Sequence, residues 1–211
     1  MSKLMGDFLS EAKHLLEIEL VAPISLPTIQ GLCYIYTAHT VLGQDRLGYA
    51  YLIQAAELVN DVSESDFPQS MSPAELAELS HAINVTCWGV WNELHGTCLT
   101  FMRPSVSPLP QRPIPRPYDI HPAADWWPYP LQRPCTPSYT NELLEVRCEL
   151  APIEHAIVET LWGNSVNMES QKADREDRLF GLHSQYTRQL DMLPSHLKPH
   201  ADAPAAVFCH Q

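Results

Sequence analysis

Apolar residues along this chain recur every three or four positions, the spacing of one face of a 3.6-residue period, and so predict helices from end to end. Phe8, Ala12, Leu15, Leu16 and Leu20 mark a first helix over about residues 5–20 and set its inner face. Pro23 and Pro27 then break the pattern, and Pro27 suits the first turn of a second helix over about 27–41. That helix is apolar nearly all round, from Ile29, Leu32 and Cys33 through Tyr34, Ile35 and Tyr36 to Val41, as expected of one packed on several sides. Gly43 supplies its stop, because glycine tolerates the left-handed conformation. A third helix over about 45–62 is expected to bury Leu47, Ala50, Tyr51, Gln54 or Ala55, and Leu58.

Ser72-Pro73-Ala74-Glu75 then combines a capping hydroxyl, proline at the first helical position and glutamate three residues on. The fourth helix that it opens runs to about Phe101, with an inner stripe of Leu76, Leu79, Ile83, Cys87, Val90, Trp91, Leu94 and Cys98. Val85 and Trp88 lie off that stripe, so a second face must be covered too. A fifth helix spans about 140–163, interrupted or kinked by Pro152. A sixth, over about 168–192, carries the charge run Lys172 to Arg178 as a solvated face and Leu179, Leu182, Tyr186 and Leu190 as its apolar one. Ala203–Gln211 reads as the start of one more helix. No segment alternates as a strand, and the expected fold is all-α, an irregular multi-helix domain.

Residues 104–137 break the helical rhythm: eleven of the nineteen prolines fall there, with no lysine or glycine. Proline fixes φ and removes a donor, which excludes helix and central strand. Tyr118, Trp126, Trp127, Tyr129 and Leu131 are too apolar for a solvated linker, so the segment reads as an extended loop pinned to the helical body by its aromatics. Pro110 and Pro113 carry a Pro-x-x-Pro spacing, the alternative reading of which is a ligand for an aromatic-lined groove. The chain therefore divides into a helical part over 1–104, a Pro-rich aromatic loop over 105–137, and a helical continuation of the same domain over 138–211, cut short at its end.

Charge narrows the function. The formal net charge is −12, from 25 acidic and 13 basic side chains. Phosphate backbones repel such a body, so no direct nucleic-acid binding by this chain is expected. The six cysteines (Cys33, Cys87, Cys98, Cys135, Cys148 and Cys209) include no Cys-x-x-Cys, and residues 1–20 carry Asp7, Glu11, Lys13, Glu17 and Glu19 where a secretory signal would be apolar. Free thiols in a reducing compartment are expected. No apolar run approaches the ~20 residues needed to span a bilayer, so a soluble protein with no membrane partner is expected.

Two stretches carry a resemblance. The first is Leu26-Pro27-Thr28-Ile29-Gln30-Gly31-Leu32-Cys33-Tyr34-Ile35-Tyr36, followed by Gly43, Gly48-Tyr49-Ala50-Tyr51 and Ile53-Gln54-Ala55-Ala56-Glu57-Leu58. The second is Thr86-Cys87-Trp88-Gly89-Val90-Trp91-Asn92-Glu93, closing on Phe101-Met102-Arg103-Pro104. Together they resemble the regulatory middle homology domain of fungal zinc-cluster transcription factors. That pattern has a Ser/Thr-x-x-Gln-Ala-Leu-type helix, a Gly-containing turn, a helix leading to Leu-Gly-Leu-His, then an Arg-x-x-Phe-Trp helix ending in Gly-Arg-Pro. Leu190 to Leu197 is similar to the family's Leu-Pro-x-x-Leu segment. Gln30, Gly48, Trp88, Arg103 and Pro104 are the matching positions. The chain departs where Leu58-Val59-Asn60-Asp61 replaces Leu-Gly-Leu-His and where Met102 replaces the glycine before Arg-Pro. None of its cysteines fits the paired Cys-x-x-Cys-x6-Cys of the zinc cluster, so no zinc-ligand or DNA-contacting role carries over to any residue. It looks like a regulatory-domain fragment, an incomplete gene product or a shortened paralogue.

The resemblance implies transcription regulation in the nucleus, through an interaction or sensing module whose partners are other transcription regulators or a small-molecule inducer. It implies no catalytic, cofactor-binding or metal-binding residue, and no cofactor. The competing class is an all-α enzyme with a metal or small-molecule site, and a third reading is a truncated, non-functional remnant. Glu11/His14 and Glu78/His81 both fit Glu-x-x-His, the motif that di-iron bundles use twice with two further glutamates, for example Glu57 and Glu154. Chance supplies roughly one such match at this composition, so two are weak support for a metal. No His-Glu-x-x-His, phosphate-binding Gly-rich loop, Gly-x-Ser-x-Gly elbow or Asp-Asp-x-x-Asp occurs. Cys87 and Cys98 lie on an apolar stripe, where a thiol behaves as a small hydrophobe rather than a nucleophile. Arg103-Pro104 is read as a helix stop, the functional alternative being an Arg103–Glu93 pair across a binding pocket.

Overall fold

Local signals open the helices where the sequence places them. Ser25 accepts the Thr28 N–H on its Oγ at 3.3 Å and caps the helix that carries Pro27 in its first turn. Ser72 and Glu75 form a reciprocal capping box: the Ser72 N–H donates to Glu75 Oε2 at 2.7 Å and the Glu75 N–H to Ser72 Oγ at 3.3 Å. Hydrogen bonding to the Ser72 backbone N–H first, and then to the Ser72 side chain, holds the Glu75 carboxyl below its ordinary pKa.

In the computed structural model, residues 2–21, 23–62, 70–116, 125–127, 134–163 and 172–198 are described. Among them the helices are α1 (Ser2–Glu19), α2 (Leu26–Val41), α3 (Asp45–Asp61), α4 (Pro73–Thr100), α5 (Thr140–Trp162) and α6 (Lys172–Asp191). The fold is all-α, as the periodicity predicts. Its only extended pairing among the described residues is two residues deep, β1 (Asp125–Trp126) antiparallel to β2 (Thr136–Pro137). So small a ladder is all edge, where proline is tolerated. The helix expected at Ala203–Gln211 lies outside the described residues, as do Tyr118, Tyr129 and Leu131 of the Pro-rich segment.

The chain groups into two compact units, Met1–Thr97 with Pro110–Arg112, and Cys98–Leu109 with Pro113–Gln211. In the first, α2 and α3 form a tight helical hairpin turned by Gly43 at φ 70°. Its core joins Ile29 and Leu32 of α2, Leu52, Ala55 and Val59 of α3, and Ile83, Val90 and Leu94 of α4. The sequence places α3 about one residue out of rotation. Leu47 is 44% exposed and Ala50 lies outside, while Gly48, Leu52, Ala55 and Val59 face in. The reason is steric. A β-carbon on Gly48 would sit 3.0 Å from the Tyr36 carbonyl oxygen and 3.2 Å from His39 Cβ, so only this position lets α3 approach α2. Beside it the buried His39 stacks on Tyr51 at 5.5 Å, and its Nδ1 pairs with Gln44 Oε1 at 2.7 Å.

The stripe expected on α4 is buried from Ile83 onward, whereas Leu76 is 41% exposed. Trp88, Trp91, Asn92 and His95 are buried as well, which gives the helix the second covered face that Trp88 requires. Trp88 meets Trp91 edge-on, and Trp91 stacks on His95 with centroids 4.3 Å apart. Trp88 Nε1–H also donates to the Arg112 carbonyl at 3.2 Å, and the Arg112 guanidinium donates to the Val62 carbonyl at 2.6 Å. Arg112 thus ties its own part of the Pro-rich segment to Val62 and Trp88. Of the aromatics expected to pin that segment, Trp127 is 70% exposed, and the side chains of the others lie outside the described residues.

In the second unit α5 passes through Pro152 as one continuous helix, not two. α6 packs on α5 through half-buried residues only, with Tyr186 Oη–H donating to Glu154 Oε1 at 3.2 Å and Arg175 donating to the Leu161 carbonyl. Pro194 leads a short 3-10 turn, Ser195–Leu197, that seats Leu197 against Leu143, Tyr139 and Val146. Beside it His196 Nε2 lies 2.7 Å from Glu142 Oε2. The Leu-Pro-x-x-Leu segment is therefore an anchor.

After α4, the Arg103 N–H donates to the Cys98 carbonyl at 2.9 Å and Met102 takes φ 52°, the left-handed position of a helix-closing turn. Glycine is the easier occupant of that position. A left-handed non-glycine residue costs about 1–2 kcal/mol, and glycine returns part of that as unfolded-chain entropy. Met102→Gly is expected to raise stability by about 0.5–1 kcal/mol in urea denaturation. Gly48→Ala should do the opposite. Its contact is a helix carbonyl that cannot swing aside, so a loss of about 1–3 kcal/mol is expected from the same measurement.

Candidate functional site

The fold itself uses up the positions that carry the resemblance. Gln30 Nε2–H donates to Thr86 Oγ1 at 3.0 Å and ties α2 to α4. Gly48 admits α3, Trp88 holds Arg112, and Arg103 closes a helix with its main chain, with the exposed Pro104 after it. The contacts shown for these residues build a scaffold.

The candidate metal ligands do not converge. Glu11 and His14 are exposed on α1, Glu57 is exposed on α3, and Glu78 is exposed on α4 beside a half-buried His81. Glu154 is half-buried in the other unit, bonded to Tyr186. Among the described residues no three His, Cys, Asp or Glu side chains lie together where one ion would bind them. Nor is a thiol activated. Burial and the nearby Glu93 carboxylate push Cys33 up to about 11, and burial raises Cys87 against the pull of Arg112. Both are protonated at neutral pH, and a protonated thiol is a poor nucleophile. Cys98 and Cys148 are fully buried, and no disulfide joins the described cysteines. No described helix is long and apolar enough to cross a membrane.

What the fold leaves unused is apolar surface between α1 and α2. A groove of about 740 Å³ runs there, walled by Phe8, Ala12 and Leu15 of α1 and by Tyr34 and Ile35 of α2. Its floor is open because Gly31 and Ala38 are small; nothing lies within 4 Å of where a β-carbon on Gly31 would be. One end is polar: Thr28 Oγ1–H donates to Glu19 Oε2 at 3.3 Å, and Ser25 Oγ lies 2.8 Å from Thr28 Oγ1. Among the described residues of the lining, Glu19 alone is charged.

Two expectations are corrected here. The inner face assigned to α1 is half outside: Phe8 is 69% exposed and Leu15 is 52% exposed. Likewise α2 is not covered all round, since Tyr34 and Val41 are more than 70% exposed. The missed signal was arc width. At 100° per residue, Leu4, Met5, Phe8, Leu9, Ala12, Leu15, Leu16 and Ile18 spread over about 180°, far wider than the ~100° stripe one neighbour covers. α2 takes the Met5, Ala12 and Leu16 side, and the Leu4, Phe8, Leu15 and Ile18 side stays open.

Compared with known proteins, the chain is 27% identical over 208 residues to the notoamide biosynthesis transcriptional activator notL′ of Aspergillus versicolor. The match takes in 97% of this chain and 33% of that protein, so the chain spans about a third of the relative's length. No family model matches the chain, and no solved structure matches it. The chain is thus distantly related to a fungal transcriptional activator, which agrees with the resemblance at that coarser level.

One titratable pair gives a pH test. Burial raises the Glu154 carboxyl pKa against the pull of Arg147 and the Tyr186 hydroxyl, and burial first, then Glu154, pushes Tyr186 up to about 12. A carboxyl raised in the folded state favours the protonated form, so folding loses stability as pH climbs from the ordinary carboxylate range through the raised value. Glu154→Gln keeps an acceptor for Tyr186 without the charge. It should raise the melting temperature at neutral pH and make no difference in acid, below the ordinary carboxylate pKa, as read by thermal melts across pH.

Proposed function

We propose that this chain is a regulatory module of a fungal transcriptional activator, acting in the nucleus through a partner or small ligand and not by gripping DNA itself. The observation that carries the reading is the match of nearly the whole chain to a third of a transcriptional activator. A module that accounts for a third of a regulator need not contain the part that reads DNA. The net charge of −12 agrees with that division, since non-specific DNA affinity comes from neutralising phosphates with lysine and arginine. The zinc-cluster affiliation and the role as the middle regulatory domain rest on the pattern from Gln30 to Pro104 and on the Leu190–Leu197 anchor.

The test is a tethering assay. The chain is fused to a heterologous DNA-binding domain, with and without a constitutive activation domain, and a reporter downstream of the matching operator is read in a fungal host. Output is expected to shift several-fold from the unfused control in at least one format. Unchanged output in both formats, with the fusion nuclear and equally abundant, would sink the proposal.

A further inference from the structure

We propose that the α1–α2 groove and the open crest of α1 receive an amphipathic helix of another protein, one with a lysine or arginine in the middle of its apolar face and basic flanks. The inference deepens the reading of the chain as a partner-binding module and rests on it for the partner's role, though not for the surface itself.

Length and shape favour a helix. Residues 5–19 of α1 line the groove, a run of about 21 Å at 1.5 Å per residue, or four turns. The trough is open along its side, as helix-in-groove recognition requires. The crest beside it places Leu4, Phe8, Glu11, Leu15 and Ile18 at alternating spacings of four and three, the seam of a paired helix. All five are exposed, the four apolar ones by 52–69%. An amphipathic partner would remove this row from water in one step.

Charge selects the partner. Glu11 stands at the centre of the seam, and Glu19 closes one end of the groove, where its carboxylate accepts from Thr28. Among the described residues no lysine, arginine or histidine lines the groove, and Lys13, one of the two lysines of α1, sits over the Tyr51 ring, 5.8 Å from its centroid. Covering Glu11 without a counter-charge would strand a carboxylate in an apolar seam, which is strongly unfavourable. A cation opposite it satisfies the group and fixes register, as a lone polar residue does in a helix pair. A second copy of this chain is the wrong partner. Pairing α1 with itself about its centre sets Glu11 against Glu11, and each copy brings a net charge of −12.

The experiment uses the full chain and two designed, fluorescein-labelled amphipathic peptides about as long as α1. One carries leucines along one face with a lysine at the centre and lysine flanks; the other has glutamate at each lysine position. Fluorescence anisotropy is expected to show saturable binding of the basic peptide, at least about tenfold tighter than of the acidic one. Phe8→Ser with Leu15→Ser should weaken it by about tenfold or more, whereas Phe180→Ser, equally exposed on α6, should leave it unchanged. Glu11→Lys should reverse the preference between the two peptides, a swap that general stickiness does not produce. Far-UV circular dichroism and melting of each variant identify any that fails to fold, and since Phe8 and Leu15 are exposed, their variants are expected to melt like the parent. Equal binding of both peptides, or no binding by a folded chain, overturns the proposal. So does a homodimer in sedimentation that Phe8→Ser dissociates, or Nile red bound at one Phe8-dependent site that neither peptide displaces. Failure here with a responsive tethered reporter removes the groove alone; peptide binding with an inert reporter removes the transcriptional reading alone.

Discussion

The approach of α3 to α2 at Gly48 is the constraint on which the first unit depends. With the Tyr36 carbonyl oxygen 3.0 Å from where a β-carbon would sit, a side chain at this position would crowd α2, and glycine lets α3 lie against it in this rotation. That rotation puts Leu52, Ala55 and Val59 inward, where they meet Ile29 and Leu32 of α2 and Ile83 and Leu94 of α4 in one core. The stacked His39–Tyr51 pair and the Gln44 contact lock the end of the hairpin beside the turn. Everything α2 has to offer on that side is then committed, and its Gly31–Tyr34–Ala38 side is left for α1 alone.

One helix cannot cover what remains. α1 spends half of its wide apolar arc on α2, and the other half stands in solvent beside an open trough. Exposed apolar residues scattered singly are ordinary on any surface, but a row of them at helix-pairing spacing, bordering a groove with a single carboxylate, is a patch with a direction. The acidic character that argues against phosphate contacts also argues for a basic partner at the proposed face. Both follow from a surplus of carboxylates, one at the scale of the whole molecule and one at Glu11 and Glu19.

The positions that carry the resemblance have structural roles. Gln30 crosslinks two helices and Trp88 holds Arg112, while Met102, where the chain departs from the pattern, occupies a left-handed turn for which glycine is the easier occupant. Such residues persist in a pattern because backbone geometry admits few substitutes.

The sequence alone determined the helices and most of their ends. Capping by Ser25 and by the Ser72–Glu75 box, proline in a first turn and glycine at φ 70° are local effects, decided within a few residues and legible wherever they occur. The all-α class and the burial of α4 from Ile83 to Cys98 followed from periodicity in the same way. Which face of a helix ends up inside is a different kind of question. For α3 it turned on the missing β-carbon of one glycine facing another helix, so a stripe read from hydrophobicity alone came out about one residue rotated. For α1 and α2 it turned on how many neighbours arrive, and no helix carries that information in its own sequence. The groove is the clearest case: Phe8, Leu15 and Tyr34 looked like core when read along the chain, and only tertiary packing left them uncovered.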